Sequence, residues 1–270
     1  MRDLNVSIIQ DSLDWQDPAA NQVRYTRHIE SFQDSNTDLI VLPEMFSTGF
    51  CMQPEDIAEN MDGDTVRWMR EQAAKHGAVI TGSMIIKEGG QHVNRMIWAR
   101  PDGSITCYDK RHLFRYGDEH IHYTSGADRV IVELHGWRLG LFVCYDLRFP
   151  VWSRNRNDCD VAIYVANWPN ARQYAWDTLL RARAIENQIY VIGVNRIGSD
   201  EIGNDFSGGS AVLDCLGKPI IDCKDREMNA TVVLSWEQQE EFRHRFPANL
   251  DADAFSIDVD EPRQRRLNEA

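Results

Sequence analysis

The sequence predicts an α/β protein in which two mixed β-sheets pack face to face and helices cover both outer faces, a four-layer αββα sandwich. About a dozen short apolar runs have the length and flanking turn residues of strands, whereas only four longer stretches have the periodicity of amphipathic helices. Strands and helices alternate at both ends of the chain, and hairpins fill the middle. So many strands with so few helices fit two sheets better than one doubly wound sheet.

The first part of the chain alternates between strands and helices. Apolar runs at residues 4–9, 39–42 and 79–86 predict strands, and the stretches at 21–32 and 65–76 have apolar residues at helical spacing. This order is typical of a sheet with helices packed on one face.

The middle of the chain is richer in hairpins. Predicted strands at 94–99 and 105–108 flank the turn Pro101-Asp-Gly103, and those at 130–134 and 139–144 are joined across His135-Gly136. After Pro150 the prediction is a short helix, strand 161–166, helix 172–187, strands 190–194, 210–214, 220–223 and 230–234, and a closing helix at 236–246.

The organisation of the chain predicts a single domain over residues 1–250, followed by a polar tail at 251–270. No repeat, low-complexity tract or flexible linker divides the 270 residues. The six cysteines form no C-x-x-C pair, in a chain long enough to fold without disulfides. We therefore expect free thiols and a cytoplasmic location.

Charge and hydropathy exclude some partners. The 29 basic and 42 acidic residues give a net charge of −13, which disfavours binding to nucleic acid and to anionic membrane surfaces. No apolar run reaches membrane-spanning length, and the amino terminus has the pattern of a first strand rather than of a signal peptide. The expected partner is a small molecule.

Cys144 lies where a predicted buried strand meets a helix, in Gly140-Leu-Phe-Val-Cys144-Tyr-Asp-Leu-Arg-Phe-Pro150. The carboxyl ends of strands are where open α/β sheets place their ligands, so this cysteine is a candidate nucleophile. A buried free cysteine is also a common packing residue. A catalytic cysteine further needs a base or a positive charge that favours the thiolate.

Two further strand ends supply such groups. Glu44 follows the strand in Leu39-Ile-Val-Leu-Pro43-Glu44, where a half-desolvated carboxylate could act as general base and acid. Lys110 follows the strand 105–108, where an ammonium could stabilise an oxyanion together with the backbone N–H of Tyr145. A solvated loop glutamate and an exposed basic turn are the structural alternatives.

These three residues occur in the order and context of the Glu-Lys-Cys triad of the nitrilase superfamily, which the chain resembles from about residue 4 to residue 246. Its motifs here are Leu-Pro-Glu, Tyr-x-Lys-x-His-Leu-Phe, Cys-Tyr-Asp-Leu-Arg-Phe-Pro and Arg181-Ala-Arg-Ala-Ile-Glu-Asn187. The resemblance implies the αββα fold, usually as a homodimer, and hydrolysis of non-peptide carbon–nitrogen bonds without metal or cofactor. It also implies an auxiliary glutamate after the lysine, for which Glu119 is the better candidate and Asp118 its rival.

The resemblance extends to a substrate class. Tyr145-Asp146 after the cysteine is similar to the amidase branches, and the flanking segments look most like the omega-amidase branch, which acts on short 2-oxo dicarboxylic acid monoamides such as 2-oxoglutaramate. Phe46 and Trp168 are candidate walls of a small pocket, with core packing as the alternative for Trp168. Arg148 is a candidate for binding the distal carboxylate, with a structural ion pair as its alternative.

Other functions remain open at this stage. The cluster Asp118-Glu119-His120-Ile-His122 resembles part of a metal-ligand set, although no further cluster completes it. The same triad could serve hydrolysis of N-carbamoyl compounds or aliphatic amides. A catalytically degenerate binding scaffold is the non-enzyme alternative.

Overall fold

The computed structural model describes residues 1–258 and confirms the predicted four layers, with two six-stranded sheets and helices on their outer faces. The strands are β1 (Leu4–Gln10), β2 (Leu39–Val41), β3 (Val79–Glu88), β4 (Gln91–Ala99), β5 (Ile105–Asp109), β6 (Ile131–Leu134), β7 (Trp137–Val143), β8 (Val161–Ala166), β9 (Tyr190–Asn195), β10 (Ile197–Ser199), β11 (Asp205–Ser207), β12 (Ala211–Leu213), β13 (Pro219–Asp222) and β14 (Met228–Leu234). The helices are α1 (Pro18–Glu30), α2 (Asp64–His76), α3 (Glu119–His122), α4 (Pro150–Ser153), α5 (Gln173–Asn187) and α6 (Trp236–Arg245).

Both sheets are mixed. The first has the order β14-β1-β2-β3-β4-β5, with β1, β2 and β3 parallel and the other pairs antiparallel. The second has the order β13-β12-β9-β8-β7-β6, with β7, β8 and β9 parallel. Because β5 runs in the same direction as β2, and β7 in the same direction as β8, the carboxyl ends of each pair share one edge of their sheet.

Alternating side chains divide the core into layers. In β2, Leu39 and Val41 face the second sheet, whereas Ile40 packs toward α1 and α2. The cluster between the sheets joins residues of β1, such as Val6, to residues of β7, such as Leu141. This continuous core fixes the two sheets against each other, and with them the strand ends that carry the candidate site.

Most differences from the predicted elements are at their ends. Helix α1 begins at Pro18, three residues before the predicted start, because the side chain of Asp17 accepts a hydrogen bond from the N–H of Ala20 at 2.9 Å. The predicted turn at His135-Gly136 is confirmed, and both residues have positive φ angles, 52° and 90°.

The hairpin β10–β11 was not predicted. Each strand has only three residues, and the turn between them is closed by Asp200, whose carboxylate accepts hydrogen bonds from the N–H groups of Ile202 and Asn204 at 3.2 and 2.8 Å. Elements this short carry no readable hydrophobic periodicity. The hairpin forms part of the rim of the candidate site.

The sequence predicted a polar tail at 251–270 and no membrane-spanning segment. Most of the expected polar tail at 251–270 lies outside the described residues, and within its described part Ile257 packs against the core between the sheets. Among residues 1–258, no helix combines the length and the apolar composition that crossing a bilayer requires.

Candidate active site

The structure brings Glu44, Lys110 and Cys144 to one end of the sandwich. Glu44 lies three residues beyond β2, and Lys110 and Cys144 directly follow β5 and β7. The Nζ of Lys110 donates to Glu44 Oε1 at 2.8 Å, and both side chains are fully buried. Lys110 and Cys144 line the same cavity. The thiol of Cys144 also makes a hydrogen bond with the carboxylate of Glu44, so Glu44 contacts both other groups.

Glu119, and not Asp118, completes the buried cluster. Its Oε2 accepts from Lys110 Nζ at 2.9 Å and from the backbone N–H of Phe114 at 2.5 Å. Asp118 instead is exposed, with φ at 58°, and precedes helix α3. The ammonium of Lys110 therefore has two carboxylate partners, Glu44 and Glu119.

Two asparagines that sequence reasoning missed hold the orientation of Glu44. The side-chain amide of Asn94 donates to Glu44 Oε1 at 2.7 Å, and the backbone N–H of Asn167 donates to Glu44 Oε2 at 2.7 Å. The side chain of Asn167 also donates to the carbonyl oxygen of Glu44. A signal did exist, since Asn167 directly follows β8 and Asn94 is a buried polar residue within an otherwise largely apolar strand.

Cys144 has a strained backbone. Its φ is 46°, a left-handed conformation that costs a non-glycine residue about 1 kcal/mol or more. It is the first residue of a short helical turn, Cys144–Arg148, that directly follows β7. This sharp change of direction places the cysteine at the edge of the sheet, where its side chain reaches the cavity.

Burial and neighbouring charges set the protonation states. Burial raises the pKa of the Cys144 thiol well above its usual value, and the charge and hydrogen bond of Glu44 raise it further, against the opposing effect of Lys110. Burial alone would lower the pKa of Lys110, but Glu119 and Glu44 raise it above its ordinary value. The resting site therefore holds a neutral thiol beside a permanent ammonium, and a base must remove the thiol proton during a reaction.

Asp146 links the segment of the lysine to that of the cysteine. Its carboxylate accepts from the hydroxyl of Tyr108 at 2.7 Å, from the backbone N–H of His112 at 2.9 Å and from that of Val143 at 3.0 Å. The ring Nδ1 of His112 lies 2.7 Å from the same carboxylate. Because Tyr108 and His112 flank Lys110, this buried carboxylate fixes the position of the ammonium relative to the thiol.

We expect Asp146→Asn to lower kcat about 10- to 100-fold with a smaller change in KM, because small displacements of reacting groups have effects of this size. An amide presents donors where the carboxylate accepted hydrogen bonds, so the variant should also lose about 1–3 kcal/mol of stability. Steady-state kinetics and thermal unfolding measure the two effects.

Asp160→Asn is the matched control for that variant. Asp160 is equally buried and accepts hydrogen bonds from Arg138 and Arg243, but it precedes β8 at the opposite edge of the sheet from Asn167. The control should lose stability and keep kcat. Equal falls of kcat in both variants would show that Asp146 serves only the stability of the fold.

The cavity beside Cys144 has a volume of about 330 Å³, which suits a small molecule. Tyr145, Arg148 and Trp168 line it, as their assignment as substrate-binding candidates requires. The guanidinium of Arg148 lies over the ring of Trp168 at 5.0 Å, so the expected alternative of a structural ion pair for Arg148 has no support within residues 1–258.

The prediction that Phe46 forms a wall of the pocket is wrong. Its ring is fully buried in the outer core, with ring-centroid distances of 5.6 Å to Tyr25 and 5.7 Å to Trp68. Phe50 lies on the cavity instead, and the ammonium of Lys110 is 5.3 Å from its ring centroid. The direction of the chain after Glu44 decides this exchange, because Met45 has a φ of 42°.

The alternative metal-ligand cluster at 118–122 does not converge. Glu119 is engaged by Lys110, and the one group of potential ligand atoms found among the described residues is Asp11, His28 and Glu227, outside the segment 118–122. There the carboxylate of Asp11 already pairs with the guanidinium of Arg24 at 3.2 Å.

Comparisons with known proteins agree with this geometry. Residues 5–238 match the family model for Carbon-nitrogen hydrolase. The chain is 46% identical over 259 residues to Omega-amidase YafV of Escherichia coli (strain K12), covering 95% of this chain and 100% of that protein. It is 31% identical over 247 residues to 2-oxoglutaramate amidase of Bacillus subtilis (strain 168), covering 90% and 95%.

A solved structure is also similar. XC1258 from Xanthomonas campestris, described as a CN-hydrolase superfamily protein with an arsenic adduct in the active site, has a TM-score of 0.94 and 48% identity, covering 96% of this chain and 100% of that one. Saccharomyces cerevisiae Nit3, a member of branch 10 of the nitrilase superfamily, has a TM-score of 0.84 and 25% identity, covering 91% and 95%.

Proposed function

The chain belongs to the carbon–nitrogen hydrolase family of the nitrilase superfamily, and we propose that this amidase hydrolyses the terminal amide of small 2-oxo dicarboxylic acid monoamides, of the 2-oxoglutaramate type, to the acid and ammonia. The observation that carries the proposal is the buried Glu44–Lys110 pair beside Cys144, at a cavity also lined by Arg148, which has no acidic partner among residues 1–258. Two relatives with the names omega-amidase and 2-oxoglutaramate amidase support the substrate class.

The proposed reaction proceeds through a thioester. Glu44 takes the proton of the Cys144 thiol, and the sulfur attacks the amide carbon of the substrate. Lys110 and the backbone N–H of Tyr145 stabilise the negative oxygen that forms. The carbon–nitrogen bond then breaks as Glu44 returns the proton to the nitrogen, and ammonia leaves. Water, deprotonated by Glu44, attacks the thioester and releases the acid and the thiol.

In this proposal the auxiliary carboxylate of Glu119 orients Lys110, and no metal or cofactor takes part. Burial raises the pKa of Glu119, while the charge of Lys110 acts in the opposite direction. Lys110 donates to Oε1 of Glu44 and not to Oε2. Oε2 accepts the backbone N–H of Asn167 instead.

Substrate recognition is proposed to depend on Arg148. A guanidinium binds a carboxylate through two parallel hydrogen bonds, and the face of Arg148 rests on Trp168 while its edge has no acidic partner among residues 1–258. The distal carboxylate of the substrate would take that place, with Phe50 as an apolar wall.

A substrate panel tests the proposal. We expect kcat/KM for 2-oxoglutaramate and 2-oxosuccinamate to exceed those for glutamine, a linear aliphatic amide and an N-carbamoyl amino acid, with ammonia release as the measurement and carbon dioxide release as the marker of carbamoyl cleavage. A preference for the N-carbamoyl compound or the aliphatic amide would assign that activity to the same triad. Absence of turnover with every member would favour a binding scaffold.

We further propose a cytoplasmic homodimer built from a single domain over residues 1–250. The six cysteines are all free, as a reducing compartment favours. Large apolar side chains remain exposed on α5, with Tyr174 at 83% and Ile185 at 56% relative exposure, which supports a protein contact on this helix. The mass of the protein in solution tests the dimer.

A further inference from the structure

A second arginine, Arg172, lines the cavity that contains Cys144. Sequence reasoning did not identify it, because it lies in the turn between β8 and α5 and not at a strand end. Its guanidinium is 4.8 Å from the ring centroid of Tyr116 and 5.2 Å from that of Phe114. Stacking of this kind supports the face of the guanidinium and leaves its N–H edge available for a ligand.

Arg172 and Arg148 are both without acidic partners in the described part of the chain. Both contact Trp168, since the guanidinium of Arg148 stacks on its ring and its Nε1 donates to the backbone carbonyl oxygen of Arg172 at 2.9 Å. The chain has a net charge of −13, and yet two arginines that have no acidic partner among the described residues line one small cavity. A cavity wall of this kind attracts an anionic group of a substrate and repels a cationic one.

The carboxylates on or behind the cavity wall accept hydrogen bonds from other groups of the protein. Glu44 and Glu119 hold Lys110. Asp200 lines the cavity, but its carboxylate accepts from the N–H groups of Ile202 and Asn204 and from the side-chain amide of Asn204 at 2.8 Å. Three hydrogen bonds from neutral groups thus hold the carboxylate of Asp200 in place, whereas the stacked guanidiniums of Arg148 and Arg172 keep N–H groups available to a ligand.

We propose that Arg172 is a specificity-determining residue that, together with Arg148, selects 2-oxo acid amides over 2-amino acid amides. Arg148 donates to the carboxylate of the substrate, as proposed above, and Arg172 donates to the 2-oxo oxygen. Glutamine, the corresponding amino acid amide, has an ammonium in place of the oxo oxygen. The guanidiniums repel this ammonium and cannot accept its hydrogen bonds. The inference rests on the proposed function and adds a residue and a basis of selection to it.

The test compares wild type and Arg172→Met on 2-oxoglutaramate, glutamine and pentanamide, an uncharged amide of the same chain length. We expect kcat/KM for 2-oxoglutaramate to fall roughly 10- to 100-fold, mainly through KM, because a charge-assisted hydrogen bond has an effect of this size. The ratio of kcat/KM for 2-oxoglutaramate to kcat/KM for glutamine should fall by a similar factor. The decrease in kcat/KM for pentanamide should be at least about ten-fold smaller than that for 2-oxoglutaramate. Arg172→Lys, which keeps the charge, should recover part of the preference.

Arg156→Met is the matched control. Arg156 also stacks on an aromatic ring, that of Phe255 at 4.7 Å, but it lies outside the cavity lining. All three substrates should keep their wild-type kinetics in this variant.

The outcomes separate the inference from the function on which it depends. If wild type hydrolyses pentanamide and not 2-oxoglutaramate, the proposed function itself fails. If wild type prefers 2-oxoglutaramate but Arg172→Met lowers kcat/KM equally for all three amides, or for none, Arg172 does not select by charge and the inference is overturned.

Discussion

Cys144→Ser should reduce amide turnover at least about ten-thousand-fold, because the members of a catalytic triad act as a unit and the hydroxyl is a far weaker nucleophile in this setting. In the proposed mechanism Glu44 accepts the proton of the thiol, whose pKa is raised well above its usual value by burial, but a hydroxyl is much less acidic still. The substitution changes one atom and little volume, so the melting temperature should change little. Ammonia release at saturating substrate and thermal unfolding measure the two effects.

Cys159→Ser provides the control at a second buried cysteine. Cys159 is 2% exposed, lies outside the cavity and donates through its sulfur to the carbonyl oxygen of Val161 at 2.9 Å, a bond that a serine hydroxyl can also make. Its turnover should match wild type. A Cys144→Ser protein that is folded and as active as this control would remove Cys144 from the mechanism.

Lys110→Met should lower both activity and stability. In the proposed mechanism Lys110 stabilises the oxyanion, and the loss of one such donor reduces kcat at least about a hundred-fold. The variant also leaves Glu44 and Glu119 buried together without a cation, and breaking a buried ion pair in this way costs about 3–5 kcal/mol. Thermal unfolding across pH measures this cost separately from the kinetics.

The pH dependence of that stability has a definite sign. Burial already raises the pKa of Glu119 above its ordinary value of 4.5, and Lys110 acts against this rise, so the substitution should raise the pKa further. Between the unfolded and folded pKa values the folded state binds more protons, and stability then falls as pH rises. The stability that Lys110→Met loses relative to wild type should therefore be smaller at about pH 5 than at about pH 8.

Lys75→Met is the control for this comparison. Lys75 pairs with Glu30 at 2.8 Å, but both side chains are about half exposed. Exposed pairs contribute little to stability. This variant should keep its activity and show the wild-type dependence of stability on pH, and the same pH dependence in both lysine variants would contradict the account of the buried cluster.

The residues that could be predicted from sequence are those that directly follow an apolar strand. Glu44, Lys110 and Cys144 each follow a run whose apolar composition locates its end within a few residues. The carboxyl ends of strands that run in the same direction share one edge of a sheet, which predicts that Glu44 and Lys110 lie near each other. Cys144 follows a strand of the other sheet, and only the resemblance to the Glu-Lys-Cys triad predicted that it meets them.

The residues that could not be predicted depend on the local path of the chain. Phe46 and Phe50 exchange roles because the turn after Glu44 contains a positive φ at Met45, which no propensity reveals. Asn94 lies within a strand, where only its pairing partners decide whether its amide meets Glu44. Arg172 becomes part of the site through its packing on Tyr116, a contact between segments far apart in the sequence.

The central claim is that the sulfur of Cys144 bonds to the acyl carbon of the substrate. Acid quenching during turnover of 2-oxoglutaramate, followed by intact-mass measurement and peptide mapping, tests it directly. We expect a mass increase equal to the substrate minus ammonia, located on the peptide that contains Cys144 and absent from Cys144→Ala. The same increase on another residue, or in the Cys144→Ala protein, would contradict the account.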